Sequence, residues 1–232
     1  NQDVDNAAGG EQLTPLFADP GVNVQPIPSG TPGSTVTTTV TLSNSGSATV
    51  SFTPVVVVNG VTTTLAPVTL APGQTVSSAP ISVPLTTTGA TVTASVTGAS
   101  VPDSNSANNT DTETSGALFA DVTTEVDLPA NGVAGSTVSG TVVFTNSAAA
   151  GATATAVTGT VSLSNGQVIT YNVGTLTVGQ SVTYTFTTTV PSTTGTVLEV
   201  TSTVATATPE TNTANNQDVD NAAGGEQLTP LF

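Results

Sequence analysis

Apolar and polar residues alternate along much of this chain. Val36, Val40 and Leu42 share one parity of their stretch while Thr fills the other, and Val182 and Tyr184 begin a second stretch of the same kind. A period of two places one face of a β-strand in a core and the other face in water. Thr and Val, which supply most of these positions, favour strands, whereas long helix-forming residues are scarce. The pattern predicts an all-β protein.

Turn residues separate these stretches. Asn59-Gly60 and Asn165-Gly166 lie between apolar runs, where Asn-Gly indicates a hairpin because both residues accept positive φ. Seven strands in about 100 residues are typical of an immunoglobulin-like sandwich. The predicted fold class is all-β, with two tandem immunoglobulin-like β-sandwiches of about seven strands each. The predicted strands are 20–27, 34–44, 48–58, 61–66, 74–83, 89–98 and 109–114, then 120–128, 136–146, 152–164, 167–173, 180–190, 195–206 and 215–220.

The chain repeats at two levels. Residues 1–17 and 216–232 are identical, NQDVDNAAGGEQLTPLF, which indicates a window from an array with a period of 216 − 1 = 215 residues. A looser repeat lies inside it, because LFAD recurs at Leu118–Asp121, 118 − 16 = 102 residues after Leu16. The predicted organisation is a junction segment at 1–17, sandwiches at 18–115 and 116–215, and the same junction again at 216–232.

Composition excludes many functions. Lys, Arg, His, Cys, Met and Trp are absent, and the net charge is −15. Such a chain repels nucleic acid, so no nucleic-acid partner is expected. It has no thiol, no imidazole and no amine side chain for catalysis or zinc binding. The longest apolar run, Val55–Val58, is far too short to span a bilayer, so no membrane insertion is predicted for this segment.

The end of each half carries a family motif. PDSNSANNTDTET at Pro102–Thr114 and PETNTANNQDVD at Pro209–Asp220 resemble the P-[DE]-x-N-x-x-N-N ending of conserved-repeat domains in bacterial and archaeal cell-surface proteins, which are related to CARDB-type adhesion modules. The resemblance covers both halves. It implies an immunoglobulin-like sandwich, a tandem array and an extracellular or cell-surface location. The chain departs from the family pattern in lacking basic residues and in its longer junction at 216–232.

The same two endings are rich in oxygen donors. Carboxylates and amides near a domain boundary suit Ca²⁺, which takes six to eight oxygen ligands. Asn and Asp also cap turns through backbone hydrogen bonds, which is the competing interpretation. Calcium is the one cofactor that the sequence suggests. The candidate ligands are Asp103, Asn105, Asn109 and Asp111 in the first half and Glu210, Asn212, Asn216, Asp218 and Asp220 in the second.

The duplicated junction is the candidate assembly site. One interpretation is a longer linker within a covalent array. The other is a contact between subunits, in which the segment donates a strand to the edge of a neighbouring sandwich. The expected partners are therefore copies of the chain itself, as covalent repeats or as fibre subunits. The candidate junction residues are Asp3, Asp5, Leu13, Leu16 and Phe17 at one end and Leu228, Leu231 and Phe232 at the other.

These features favour a structural role over chemistry. Glu125 and Asp127 share a strand face but have no base or electrophile beside them in the sequence, so no catalytic residue is predicted. The expected function is a repeat unit of a long extracellular filament or cell-surface stalk. The alternative is an adhesin-type module that binds a glycan or protein through its loops. It is less favoured because Trp and Arg, common in binding hot spots, are absent.

Overall fold

The computed structural model describes residues 15–193 and 195–220 and the backbone of 229–231. Contacts divide the chain into two units. The first comprises Asn1–Ser29 and Ser34–Gly116, and the second comprises Gly30–Gly33 and Ala117–Phe232. The division by contacts falls between Gly116 and Ala117, and the predicted domain limits stay a prediction.

The first unit consists of antiparallel sheets. Its strands are β1 Pro20–Val24, β2 Thr35–Thr38, β3 Val40–Asn44, β4 Val50–Val58, β5 Val61–Thr64, β6 Val68–Leu70, β7 Thr75–Ser77, β8 Ile81–Pro84, β9 Ala90–Thr97 and β10 Thr110–Ser115, with a 3₁₀ turn at Ser106–Asn108. One sheet has the order β1-β3-β7 and the other β10-β9-β4-β5, with β6 also paired to β4. Strands β2 and β8 form a further pair.

The second unit repeats this plan, and some of its strands are longer. They are β11 Val122–Asp127, β12 Asn131–Val133, β13 Thr137–Asn146, β14 Ala154–Leu163, β15 Val168–Leu176, β16 Ser181–Thr189, β17 Val200–Ala205, β18 Gln217–Asp220 and β19 Thr229–Leu231. A three-stranded sheet β11-β13-β16 and a four-stranded sheet β15-β14-β17-β18 supply seven strands. Strands β12 and β19 add a parallel pair.

The all-β prediction is confirmed, with local differences in strand length. In the first unit the predicted strand 34–44 is divided at Thr39, and the strand 74–83 is divided around Pro80. Pro67 lies between β5 and β6. A proline cannot donate to a sheet ladder, so Pro67 and Pro80 break strands that run unbroken in the second unit. The short strands β12 and β19 were not predicted, and β17 begins at Val200, not at 195.

Each unit has its own apolar core between its two sheets. In the first, Val40 and Leu42 of β3 meet Phe52 and Val56 of β4. In the second, Phe144 of β13 lies in the corresponding core. Burying each such side chain contributes roughly 1.5–3 kcal/mol. Within the described residues, no helix is long and apolar enough to cross a membrane.

Candidate assembly junction

The segment that opens the first sandwich is held between two loops of its own unit. The Phe17 carbonyl accepts the backbone N–H groups of Ser47 at 2.8 Å and Ala48 at 3.1 Å. On the other side, the Ala18 N–H donates to the Pro102 carbonyl at 3.1 Å. Ala18 is fully buried. The backbone after Phe17 is therefore fixed to the sandwich that follows it.

The second sandwich opens in the same way. The Phe119 carbonyl accepts the N–H groups of Gly151 and Ala152, each at 2.9 Å. The Ala120 N–H donates to the Pro209 carbonyl at 2.9 Å, and Ala120 is fully buried. The repeated LFAD sequence thus marks the point at which each sandwich begins.

A buried asparagine fastens the opening segment of the first unit. Asn44 is 1% exposed. Its Nδ2 donates to the carbonyls of Ala48 at 2.8 Å and Leu70 at 3.0 Å, and its Oδ1 accepts the N–H groups of Asp19 and Gly46, each at 3.1 Å. The amide therefore uses both donors and both acceptor positions, as a buried polar group requires.

Asn146 makes three of the four equivalent hydrogen bonds in the second unit. Its Nδ2 donates to the carbonyls of Ala152 and Leu176, each at 3.0 Å, and its Oδ1 accepts the Asp121 N–H at 3.2 Å. We assigned no role to either asparagine from the sequence. The available signal was a polar residue at an inward-facing strand position, followed by Ser, in both repeats.

The acidic loop that closes the first unit forms local turns. Asp103 accepts the Asn105 N–H on Oδ1 at 2.9 Å and the Asn109 Nδ2 on Oδ2 at 2.6 Å. Asn105 in turn accepts the Ala107 N–H at 3.2 Å and so caps the 3₁₀ turn. The predicted ligands Asp103, Asn105 and Asn109 are brought together here.

The loop that closes the second unit is built alike. Glu210 accepts the Val122 N–H on Oε1 at 3.2 Å and the Asn216 Nδ2 on Oε2 at 2.6 Å. Asn212 accepts the Ala214 N–H at 3.0 Å. Glu210 therefore links the closing loop to β11, the first strand of the same sandwich.

The remaining predicted ligands lie on strands and accept hydrogen bonds from backbone N–H groups of the opposite sheet or, for Asp220, from the residue that follows β11 of that sheet. Asp111 lies on β10, and Asp218 and Asp220 lie on β18. Each carboxylate accepts a backbone N–H across the sandwich, from Val24 at 2.7 Å, Val126 at 2.7 Å and Leu128 at 2.9 Å respectively. These three acids hold the two sheets of their units together.

The residues present fit a calcium site only in part. In the described ranges 15–193 and 195–220, no three His, Cys, Asp or Glu side chains group closely enough to hold a metal ion. Among the residues that the structure describes, four buried amide oxygens have no hydrogen-bond donor: the Oδ1 atoms of Asn108, Asn109, Asn215 and Asn216. They occupy equivalent positions in the two units, and a hard cation or water would satisfy them. Calcium binding stays a prediction.

The predicted junction residues are only partly within the described structure. Asp3, Asp5, Leu13, Leu228 and Phe232 lie outside the described residues. Leu16 and Phe17 are 62% and 43% exposed, whereas their counterparts Leu118 and Phe119 are partly buried. The backbone of Leu231 belongs to β19.

A parallel backbone pairing recurs ahead of the Leu-Phe pair. Gly132 of β12 pairs with Pro230 of β19, and Gly30 pairs with Ala117. Both pairs fall within the second unit as contacts divide the chain. Gly30 and Gly132 are 102 residues apart, the offset of the internal repeat, and Ala117 and Pro230 each precede Leu-Phe. In both repeats, an equivalent glycine therefore pairs with the residue that precedes Leu-Phe.

The first unit also carries an apolar groove. Two adjoining cavities of about 450 and 340 Å³ share Leu65, Pro80 and Ile81. The smaller cavity is also lined by Leu42 and Ser78. This groove is the feature of the first unit that best suits a bound ligand.

The second unit fills the corresponding place with aromatic rings. The ring centroids of Phe144 and Tyr171 lie 5.8 Å apart, those of Phe144 and Tyr184 6.1 Å, and those of the two tyrosines 4.7 Å. Burial raises the pKa of Tyr171 above its ordinary value of 10.0, and the nearby Tyr184 raises this pKa further.

No protein-family model and no curated protein matches the chain. Among solved structures, the solution NMR structure of the CARDB domain of the Pyrococcus furiosus PF1109 protein is similar to this chain. The identity is 17%, the match covers 49% of this chain and 97% of that chain, and the TM-score is 0.41. Its crystal structure in complex with di-metal ions has 20% identity, covers 49% and 90%, and gives a TM-score of 0.40. CARDB domains are the modules that the closing motifs resemble, and the likeness concerns the fold alone.

A third similar structure is larger. Red sea bream transglutaminase is 12% identical, with 95% of this chain and 32% of that chain covered and a TM-score of 0.36. The chain thus spans about a third of that enzyme.

Proposed function

We propose that this chain is one period of a structural array, a repeat unit of a long extracellular filament or cell-surface stalk that carries load and has no catalytic role. The observation that carries this proposal is the identity of residues 1–17 and 216–232, because each copy lies at the boundary of a sandwich. An array with a 215-residue period (216 − 1) would use the two copies as one joint.

The two described ends supply the two halves of that joint. At the N-terminal end, Phe17 and Ala18 bind the loops of the sandwich that follows. At the C-terminal end, Thr229–Leu231 pairs with Asn131–Val133 of the sandwich that precedes it. In a continuous array the segment LTPLF makes both sets of backbone contacts at once. The joint is then bonded to the sandwich on either side of it and passes tension from one unit to the next.

The surface chemistry suits an exposed location. Without Lys or Arg, the chain offers trypsin-like proteases no cleavage site. A net charge of −15 keeps such chains soluble and apart from nucleic acid. The partners we propose are copies of the chain itself.

A second candidate function is an adhesin-type binding module. The apolar groove around Leu65 and Pro80 favours it, since concave apolar surfaces are the usual sites for small ligands. The proposal of a structural array explains the duplicated ends, which a single binding module would not need.

Electron microscopy of native material tests the proposal against this alternative. We expect long fibres with a regular axial repeat built from two sandwiches per period. The recombinant 232-residue chain, imaged under the same conditions, is the control for fibres that form without the native array. Discrete particles in the native material would contradict the structural role and favour the binding module.

A further inference from the structure

The strand that fills the β12 edge has the same sequence as the N-terminal segment. Thr229, Pro230 and Leu231 pair in parallel with Asn131, Gly132 and Val133. The sequence Thr-Pro-Leu also stands at positions 14–16, immediately before Phe17. Whatever this edge accepts from one end of the chain, it can accept from the other end with the same chemistry and the same register.

We infer that Asn131–Val133 is the acceptor edge for the N-terminal segment of a second copy of this chain, and that Thr229–Leu231 occupies it in place of that copy. In the assembled state Pro15 of the incoming copy pairs with Gly132, as Pro230 does in the single chain. This inference rests on the proposed function and names the surface through which separate chains join head to tail.

Because the pairing is between backbones, the β12 edge should bind the chain's own segment and the segment of a second copy with the same intrinsic affinity. Strand addition draws its affinity from main-chain hydrogen bonds, so identical segments bind an edge alike. Competition between them is decided by effective concentration. The chain's own segment follows β18 after the eight residues 221–228 (229 − 220 − 1) and so occupies the edge first. Removing it exposes the edge to other copies.

The donor end exposes apolar side chains. Leu16 is 62% exposed and Phe17 43% exposed, although the Phe17 carbonyl is bound to its own unit. Their counterparts Leu118 and Phe119 are partly buried where Ala117 is paired with Gly30. Within the described part of the chain, Pro15 has no backbone pairing equivalent to that of Ala117. A second copy supplies it.

Charge favours a copy that meets this edge end to end. Neither Asn131–Val133 nor Leu13–Phe17 contains a charged residue, although the chain carries −15 overall. Pairing these segments places no carboxylate opposite another. Added salt screens the remaining repulsion between the two acidic chains, so assembly should strengthen as the salt concentration rises.

A chain ending at Asp220 tests the inference. The core residues of the described ranges 15–193 and 195–220 remain in it, as does β18. We expect the 1–220 chain to form head-to-tail oligomers in light scattering, at protein concentrations where the 232-residue chain is monomeric. We also expect the 17–220 chain, which lacks the donor, to stay monomeric. A second variant retains all 232 residues and changes Thr229→Gly, Pro230→Ser and Leu231→Gly, in case truncation impairs folding. The introduced residues lose more backbone freedom when they are ordered, so the segment should leave the edge more readily although its main-chain groups remain.

Side-chain variants test whether Leu16 belongs to the contact between copies. Leu16→Asp in the 1–220 chain should abolish the oligomers with no change in melting midpoint, because Leu16 is exposed. Val168→Asp is the matched control, since Val168 is 63% exposed and belongs to β15, not to the donor segment or the β12 edge; it should leave the oligomers intact. Oligomers that persist with Leu16→Asp would overturn the inference.

The outcomes separate the inference from the proposed function. If native material forms fibres but both edge-freed chains stay folded and monomeric, the inference is wrong and the repeats are covalent. Native material without fibres overturns the proposed function, whatever the edge-freed chains do.

Discussion

The two sandwiches have one topology but place the phenylalanines of their cores on opposite sheets. The first core has Phe52 on β4, whereas the second has Phe144 on β13 and Phe186 on β16 of the other sheet. Leu42 pairs with Val76 in the first unit as Phe144 pairs with Val182 in the second. The same fold therefore accepts its large core side chains from either sheet.

Gly159 shows how closely the second core is fitted. A Cβ at this position would lie 2.0 Å from Cζ of Phe144. The first unit has Pro54 at the corresponding place, because Pro54 pairs with Val96 as Gly159 pairs with Val204. The ring of Phe144 and the missing side chain at Gly159 thus depend on each other.

The units also differ in what fills the space between the sheets beside each core. In the second, the rings of Tyr171 and Tyr184 pack at a tilt against Phe144. In the first, Leu65 and Ser78 take the tyrosine positions and an apolar groove remains. Lost contacts around a void weaken packing. We therefore expect the first unit to unfold before the second.

The largest effect should come from emptying either core. Phe144→Ala should destabilise the second unit by about 3–5 kcal/mol, through lost burial and the cavity left behind. Phe52→Ala should do the same to the first unit. Scanning calorimetry that resolves two transitions measures this. If either substitution shifts both transitions equally, the units do not fold independently.

Calcium should act on both units alike, because the buried oxygens of Asn108 and Asn109 recur at Asn215 and Asn216. At 100 times its dissociation constant, a ligand that binds only the folded state adds about 2.7 kcal/mol. We expect a chelator to lower both melting midpoints and added Ca²⁺ to restore them, with Mg²⁺ as the control. Midpoints that stay the same would show that these loops are held by hydrogen bonds alone.

Among the described residues, the second unit has a buried pair of hydrogen-bonded hydroxyl side chains that the first unit does not have. Thr124 Oγ1 donates to Ser202 Oγ at 2.8 Å in the core. Ser202→Ala leaves the threonine hydroxyl without its acceptor and should cost about 1–3 kcal/mol. Combining it with Thr124→Val replaces both partners by apolar groups and should recover most of that loss. A double-mutant cycle measured by denaturant unfolding checks this, and strictly additive losses would contradict it.

Tyr171 should produce the smallest effect, and one that depends on pH. Its hydroxyl is buried without a partner, so Tyr171→Phe should leave stability unchanged or raise it by up to about 1 kcal/mol. The folded-state pKa is raised above 10.0. Below pH 10 both states keep the proton; above it the unfolded state ionises first and stability falls. The variant should lose less stability than the parent between pH 9 and 11, and equal losses would contradict the assignment.

Alternation was enough to predict the all-β class and most strands, since it reports directly which face is buried. It missed β12 and β19, whose three residues are too short to show a period. The two Asn-Gly pairs, both predicted to form hairpin turns, lie in turns of different length. Asn59 and Gly60 form a two-residue hairpin with φ of 48° and 84°, whereas Asn165-Gly166 lies in a longer loop between Ser162 and Val168.

The roles of the acidic residues could not be predicted from the sequence. Asp111 and Asp218 were proposed as metal ligands from their local spacing. Their hydrogen-bond partners Val24 and Val126 are 87 and 92 residues away in the chain. Only the packing of one sheet on another brings these groups together, and no local pattern encodes that contact.

Stretching single molecules of a tandem array most directly tests whether these units carry load. An array of several 215-residue periods should give a sawtooth of separate unfolding events, two per period. Each event should release on the order of 100 residues, or about 340 Å of extended chain, with the first unit yielding at the lower force. Smooth extension at low force, without separate events, would contradict a structural role for the array.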